Sequence, residues 1–115
     1  MFQADGKVQE PLMETPFTFR FGDEIDQREA GVAILQKYWK AFAPKDVPEW
    51  NQRIRNSGRC IIAAYDGSVI AGVLEAMRLD IGGDPYGVPT TFQELTADGT
   101  WSNHKPSGDT VMLVD

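Results

Sequence analysis

The spacing of apolar and polar residues divides this chain into strand-like and helix-like segments. In the first strand-like segment, Phe17, Phe19 and Phe21 alternate with polar residues. This alternation places three aromatic rings on one face of a strand, and we expect that face to pack against the core. In the next segment the apolar residues are three, four or seven positions apart, which predicts a helix with one apolar stripe. They are Ile25, Val32, Leu35, Trp39 and Phe42.

Polar residues predict where this first helix begins and ends. Asp23 or Asp26 can cap its first turn by accepting hydrogen bonds from free backbone N–H groups. Pro44 is expected to end it, because proline has no N–H to continue the helical hydrogen bonds. The first helix is therefore expected between these residues.

A second, shorter helix is predicted by Asp46 and by Glu49 three residues later, which together resemble a capping box. Asn56-Ser57-Gly58 ends it, since glycine is common just past a helix. Arg53 and Arg55 are expected to lie in solvent. The apolar stripe of this helix consists of Val47, Trp50 and Ile54.

A β-hairpin is indicated by two β-rich runs, residues 59–65 and 68–79, on either side of Asp66-Gly67. That dipeptide favours a type I′ turn, because both central residues of such a turn need a positive φ. Gly72, inside the second run, indicates a bulge or a close approach of another backbone.

The last predicted strand, residues 109–114, follows a long excursion over residues 80–108 that is rich in Gly, Pro, Thr and Asp. An excursion of that length in a compact domain is usually functional or contains structure of its own. Residues 90–99 could supply a short strand or a helical turn.

In order, these segments predict an α+β fold: a mixed, mainly antiparallel sheet of about four strands with two N-terminal helices packed on it. Residues 16–115 would form this domain, and residues 1–15, which have no apolar period, a flexible leader. The apolar run 111–114 is followed at once by Asp115, so we expect the chain to be the front part of a longer fold.

Composition narrows the classes of function. With 42% hydrophobic and 24% charged residues the chain is typical of a globular protein, and no apolar run is long enough to cross a membrane. Its 11 basic and 17 acidic residues give a net charge of −6, which disfavours binding to nucleic acid. The first residues lack the basic start and apolar stretch of a signal peptide, so a cytoplasmic location is expected.

Metal and nucleophile chemistry are not indicated by the sequence. Cys60 is the single cysteine and His104 the single histidine, which is too few for a zinc site. Cys60 also lies in an apolar segment, where burial disfavours the thiolate that a nucleophile needs. We therefore expect no metal cofactor and interpret Cys60 as a small buried residue.

Several segments resemble the opening half of the GNAT-type N-acetyltransferases. They are the strand 17–21, the capped helix through Gln36 and, above all, the hairpin 61–74 with its acidic residue and glycine at the turn. Residues 91–101 and the stretch from His104 to Thr110 look like the segment that precedes the fourth strand in a subset of these enzymes. The resemblance covers residues 16–115.

The resemblance implies transfer of an acetyl group from acetyl-CoA to an amine, on a small molecule or a peptide. It also implies that the acetyl and pantetheine groups lie along the fourth strand, where Leu113, Val114 and Asp115 would form the cofactor-binding backbone. The family holds the CoA pyrophosphate with a loop of the form Gln/Arg-x-x-Gly-x-Gly/Ala at the start of a helix. This sequence contains no such loop, so we expect the chain to bind acetyl-CoA weakly and to be inactive by itself.

Candidate catalytic residues follow from the same resemblance, because a carboxylate or a water-linked residue near the fourth strand often serves as the base in this family. By position, Asp115, Asp109 and Glu75 could match that role. His104 is the only side chain whose ordinary pKa is near neutrality, so it is a candidate for catalysis or substrate contact.

The three tryptophans are assigned by their spacing. Trp39 and Trp50 fall on the helical stripes and are expected in the core. Trp101 lies on no such stripe, which makes it the best aromatic candidate for a substrate pocket or an interface.

Two functions remain open. The chain could be the acceptor-side part of a GNAT-like acetyltransferase, or a noncatalytic binding or dimerisation module derived from that fold. In the second case the apolar edge formed by the fourth strand would be covered by the leader, by a second copy of the chain or by another partner.

Overall fold

A computed structural model describes residues 16–114 of the chain. The predicted leader, residues 1–15, and the candidate catalytic residue Asp115 lie outside the described residues. Within them, strands and α-helices follow one another in the order β1 (Phe17–Phe21), α1 (Arg28–Trp39), α2 (Val47–Ser57), β2 (Ile61–Asp66), β3 (Val69–Leu79), α3 (Phe92–Thr96) and β4 (Thr110–Leu113).

The strands form one four-stranded sheet in the order β1-β2-β3-β4, and each neighbouring pair is antiparallel. The two long helices, α1 and α2, pack on one face of this sheet, which we call the front face. The fold is therefore α+β, as the sequence predicts. The main core between helices and sheet consists of Ile25, Val32, Leu35, Trp50, Ile54, Ile61, Ala63, Tyr65 and Ile70.

The start of α2 confirms the predicted cap with a shift of one residue. The Asp46 carboxylate accepts a hydrogen bond from the Glu49 N–H at 2.9 Å. The Glu49 carboxylate accepts from the Lys45 N–H at 2.7 Å, one residue before the usual position in a capping box. The helix is followed by Gly58, as predicted.

The start of α1 differs from the prediction. Its N-cap residue is Gln27, and no side chain caps the helix. The Asp26 carboxylate forms an ion pair with Arg20 of β1 instead, with 2.7 Å between the charged atoms. The Asp26 carboxylate therefore binds β1 rather than the helix N-terminus.

The opposite, rear face of the sheet corrects the expectation for the phenylalanines of β1. Phe19 pairs with Ala64 of β2, whose neighbours Ala63 and Tyr65 point into the main core, so the phenylalanines point away from it. Phe17 is 40% and Phe19 54% exposed. The larger apolar side chains of the rear face include those of Phe17, Phe19, Phe21, Ile62, Leu74, Val111 and Leu113.

The C-terminal turn of α1 also extends beyond the core. Trp39 is 43% and Phe42 44% exposed, so the prediction that Trp39 is a core residue is wrong. The helix keeps its regular form only to Trp39, and a 3₁₀ turn, Lys40–Phe42, leads to the buried Pro44. The predicted helical spacing is correct, but neither ring belongs to the main core, and the Phe42 ring packs on Phe92 instead, with 4.8 Å between the ring centres.

The hairpin is confirmed, with a different turn. Asp66 pairs with Val69, so the two central turn residues are Gly67 and Ser68. Only Gly67 has a positive φ, 63°, which is the pattern of a type II′ turn rather than type I′. The pairing shifts by one residue beside Gly72, which confirms the predicted bulge.

The long strand β3 serves two partners in succession. Its first half pairs with β2, and residues Ala76 to Leu79 pair with β4. Next to this second half lies a second core, to which the excursion contributes the short helix α3. The second core consists of Met77, Leu79 and Trp101, with Ile81, Phe92, Leu95, Met112 and Val114 packed around them.

Candidate functional site

The junction between β3 and β4 brings several of the predicted site residues together. The Val114 N–H donates to the Glu75 backbone oxygen at 2.8 Å. The Trp101 indole N–H donates to the backbone oxygen of the next residue of β3, Ala76, at 3.0 Å. Val114 and Trp101 therefore bind two adjacent residues of β3, Glu75 and Ala76.

The Glu75 side chain is buried at this junction and points towards the helices. Its carboxylate accepts from the Trp50 indole N–H and from an Arg53 guanidinium N–H, each at 2.9 Å. Arg53 and Glu75 form a buried ion pair. A carboxylate in this position has no open path to an amine substrate unless the surrounding core moves.

Arg53 lies in the core, so the prediction that it is solvated is wrong. Its guanidinium donates to two backbone oxygens as well as to Glu75: Gly99 at 2.8 Å and Phe42 at 3.1 Å. The guanidinium also lies 4.5 Å from the centre of the Trp101 ring. The position was readable in the sequence, since residue 53 follows Trp50 by three and therefore shares its helical face. Arg55, in contrast, is exposed as predicted.

Trp101 has no solvent-exposed surface. Its backbone has a φ of 62°, which is uncommon for a bulky residue, and its ring packs edge-on against Phe92. The indole hydrogen bond and the Arg53 contact hold the residue there. A ligand could reach this ring only if the loop that carries it moved.

His104 uses one ring nitrogen to hold the same loop against β3. The Arg78 N–H donates to His104 Nδ1 at 3.0 Å, and the Lys105 N–H donates to the Arg78 backbone oxygen at 2.9 Å. The neutral ring therefore carries its proton on Nε2. Partial burial, and then the charge of Arg78, hold the pKa of His104 below its ordinary value.

Residues 101–105 thus take the place of a strand beside the second half of β3. The strand β2 does not reach this half of β3, because its first residue, Ile61, pairs with Glu75. The backbone groups of Ala76 and Arg78 that a strand would have bound are taken by Trp101, His104 and Lys105. Both predicted pocket residues belong to this substitute for a strand.

The predicted cofactor-binding residues lie at the end of β4. Because Val114 is hydrogen-bonded to Glu75, the alternation of an antiparallel pair directs the backbone N–H and C=O of Leu113 away from β3. No strand of the described residues pairs with that outer edge. The Leu113 side chain is 65% exposed on the rear face, whereas Val114 packs in the second core.

Asp109 holds the start of the excursion. Its carboxylate accepts from the Ile81 N–H at 3.1 Å and from the Gly83 N–H at 2.9 Å. The bond from Ile81, together with those from Thr110 and Gly83, lowers the pKa of Asp109 from its ordinary value. A carboxylate whose pKa is lowered in this way accepts a proton weakly at neutral pH.

Metal ligands, the single thiol and membrane-spanning helices are the remaining features of residues 16–114 that bear on function. No cluster of three or more potential metal ligands occurs among them. Cys60 is a free, half-buried thiol, and burial raises its pKa. None of the helices in this part of the chain is long and apolar enough to cross a membrane.

Within residues 16–114 the arrangement is therefore an internally bonded junction beside a strand edge with which no other strand of that range pairs. The buried pair of Arg53 and Glu75 joins α2 to β3, and the loop 101–105 closes the other side of β3. Comparison of the chain with protein-family models, with curated proteins and with solved structures found no match.

Proposed function

We propose that the chain is the acceptor-side, N-terminal part of a GNAT-like N-acetyltransferase that acts on an amine. The observation that carries the proposal is an antiparallel sheet in sequence order whose last strand, β4, has an outer edge that no other strand of the described residues pairs with. In the resembling family the acetyl and pantetheine groups lie along the fourth strand. A ligand with amide groups can extend such an edge through backbone hydrogen bonds.

The proposed reaction sets two requirements. The amine nitrogen forms a bond to the acetyl carbon, the C–S bond breaks, and the proton that the amine loses is balanced by the one that the CoA thiol gains. A base must take the amine proton, for which Asp115, Glu75 and His104 are the candidates. Glu75 could serve only if it left its ion pair with Arg53, and His104 only if Nδ1 released the Arg78 N–H. A donor must stabilise the charge that develops on the acetyl oxygen, and the outward N–H of Leu113 is a candidate for it.

The acceptor side would be formed by α1, α2 and the excursion, residues 80–108. Loops on a rigid sheet commonly set the substrate range of a fold. The lone free thiol of Cys60 suits a reducing compartment, which supports the cytoplasmic location that belongs to this proposal.

The test is an NMR titration of the 115-residue chain with acetyl-CoA. We expect weak binding, with a Kd of about 1 mM or above, because no phosphate-binding loop of the family's form is present. The amide signals of Leu113 and Val114 should shift most. Micromolar binding would overturn the expected weakness, and shifts confined to other elements would overturn the proposed site.

A proline variant makes this test specific. Leu113→Pro removes the outward N–H without breaking a bond to β3, since proline is tolerated where a strand's N–H faces outward. It should abolish the shift at Val114, whereas Leu113→Ala, which keeps the N–H, should retain it. Equal titration curves for the two variants would count against binding along this edge.

The noncatalytic alternative is favoured by the rear face. An apolar groove of about 440 Å³ lies on it between β1 and β3. A second copy of the chain could cover this groove and keep the strand edges from uncontrolled pairing. The groove is lined by Phe19, Phe21, Ile62, Ala64, Gly72, Val73 and Leu74.

Light scattering discriminates this alternative. A dimerisation module should show a concentration-dependent dimer that Phe19→Ser weakens. Tyr38→Ser is the matched control, because Tyr38 is an exposed aromatic residue on α1. A chain that stays monomeric at all concentrations, or that is equally affected by both variants, contradicts the dimer.

A further inference from the structure

A basic pocket lies where the end of α2, the start of β2 and the loop after Trp101 meet. It has a volume of about 380 Å³. Three arginines line it, Arg55, Arg59 and Arg78, together with His104, and none of the described residues that line it is Asp or Glu. This is unexpected in a chain with 17 acidic and 11 basic residues.

Two of the arginines, Arg78 and Arg59, make contacts that offset little of their charge. Arg78 donates through its guanidinium to the backbone oxygen of Gly108, a neutral acceptor. Arg59 packs over the Phe21 ring at 4.6 Å and reaches Glu24 only at 3.7 Å, in an exposed pair. Exposed pairs of this kind are weak.

The helix end beside the pocket does not cancel this charge. The C-terminus of α2 lies at the pocket and carries the equivalent of about half a negative charge. Three guanidinium groups carry a full positive charge each. The side chains that line the pocket therefore carry more positive charge than the helix end offsets.

The pocket also supplies a neutral donor from a fourth direction. His104 accepts from Arg78 through Nδ1, which leaves the Nε2–H free to donate. Donors that come from α2, from the turn after it, from β3 and from the loop suit a tetrahedral anion with several acceptor oxygens. A planar carboxylate, in contrast, can be bound by a single guanidinium group, whose two parallel N–H groups match its two oxygens.

We propose that this pocket binds the phosphate group of a small phosphorylated molecule or free phosphate, with Arg55, Arg59, Arg78 and His104 as the donors. The inference does not depend on acetyl transfer. Because the arginines are partly exposed, the affinity should be modest and should fall as the salt concentration rises.

The test is an NMR titration at low salt with inorganic phosphate, O-phosphoserine and succinate. Phosphate should bind saturably and shift the signals of Arg59, Arg78 and His104, and succinate should bind less well. Tighter binding of O-phosphoserine than of phosphate identifies a phosphorylated molecule as the ligand, and equal binding identifies the phosphate group alone. Succinate binding as tight as phosphate overturns the proposal.

Variants with equal charge changes make the test specific. The double variant Arg55→Gln, Arg59→Gln should lower phosphate affinity at least about tenfold, since it removes two charge-assisted hydrogen bonds. Lys37→Gln, Lys45→Gln removes the same charge from exposed positions outside the pocket and should change affinity less than about twofold. An equal loss in both double variants, or no saturable binding, overturns the site.

Cys60 gives a second readout that needs no signal assignment. Cys60 is one of the residues that line the pocket, and its thiol is the only one in the chain. Saturating phosphate should slow its alkylation in the unaltered chain but not in the double arginine variant. An unchanged alkylation rate in both proteins contradicts the assignment.

Discussion

Arg53 is the residue on which both cores depend. It bonds to Glu75 beneath the main core and stacks on Trp101 in the second core. A buried charge is tolerated only when its partners remain, because an unpaired ion in the interior loses its hydration without compensation. The pair thus fixes the position of α2 on β3, and the folded state needs both Arg53 and Glu75 to be present.

Arg53→Ala should therefore destabilise the protein by about 3–5 kcal/mol, since it leaves Glu75 buried without its counter-ion. Urea unfolding measures this free energy. Arg55→Ala, two residues away and exposed, should change it by less than about 0.5 kcal/mol. The double variant Arg53→Met, Glu75→Leu should be more stable than Arg53→Ala; if it is less stable, the ion pair is not the reason for the loss.

His104 gives the folded state a defined pH dependence. Its pKa is lowered from the ordinary value of 6.5, so between the two values the unfolded chain binds more protons than the folded one. The stability that neutral His104 contributes is fully present above pH 6.5. It is lost as the pH falls through the lower pKa that His104 has in the folded state. The lowered pKa values of Asp26 and Asp109 act below their ordinary value of 3.8, outside this window.

Thermal melting at about pH 7.5 and about pH 5 checks this effect. The melting temperature should be lower at the acidic pH, because protonation of Nδ1 removes the acceptor that the Arg78 N–H uses. In the variant His104→Gln the new side chain does not titrate, so the difference between the two pH values should be smaller. An equal pH dependence in both proteins would assign the effect to other groups.

Among the secondary-structure elements, α1 and α2 are held close by a glycine. A Cβ atom on Gly31 would lie 2.6 Å from the Trp50 ring, so the two elements meet where α1 has no side chain. A larger residue would have to move a fully buried tryptophan in a packed core.

Gly31→Ala should destabilise the protein although alanine is the better helix former. Overpacking costs about 1–3 kcal/mol, and the gain in helix propensity offsets about 1 kcal/mol of it. Gly72→Ala is the matched control, since a Cβ atom there meets nothing within 4 Å. Chemical denaturation should show a loss only for the first variant; equal stabilities would mean that α1 can shift freely.

Most features set by residues close in the chain were predicted, except the cap of α1 and the type of the hairpin turn, whereas features that need a distant partner were not. The hairpin, its bulge beside Gly72 and the cap at Asp46 depend on residues close in the chain. The exposure of Phe19 depends on its pairing with Ala64, and the burial of Arg53 on a partner 22 residues away. Alternation shows that a strand has two faces but not which one a helix covers.

The candidate site was predictable to a smaller extent. Glu75 and Val114 were selected through the family resemblance, and Trp101 because it lies on no helical stripe. The three do lie together, but their hydrogen bonds could not be predicted from the sequence. The basic pocket was missed because its arginines come from separate elements and form no run along the chain.

At the scale of the whole molecule, the two cores are expected to unfold as one unit because Arg53 and Glu75 join them. Hydrogen exchange should give the most protected amides of β2 and of β4 the same free energy of opening. In the variant Arg53→Met, Glu75→Leu the amides of β4 should exchange at a lower free energy than those of β2. Equal protection in that variant would show that the cores are coupled by other contacts.

The loop of residues 101–105 has a consequence for the order of folding. It binds β3 through contacts that span 25 and 26 residues, whereas the β2–β3 hairpin closes over a two-residue turn. Short loops close before long ones, and the docking surface for Trp101 exists only once β3 is extended. The hairpin should therefore form early and the loop late, so substitutions of Trp101 should accelerate unfolding and leave the refolding rate nearly unchanged.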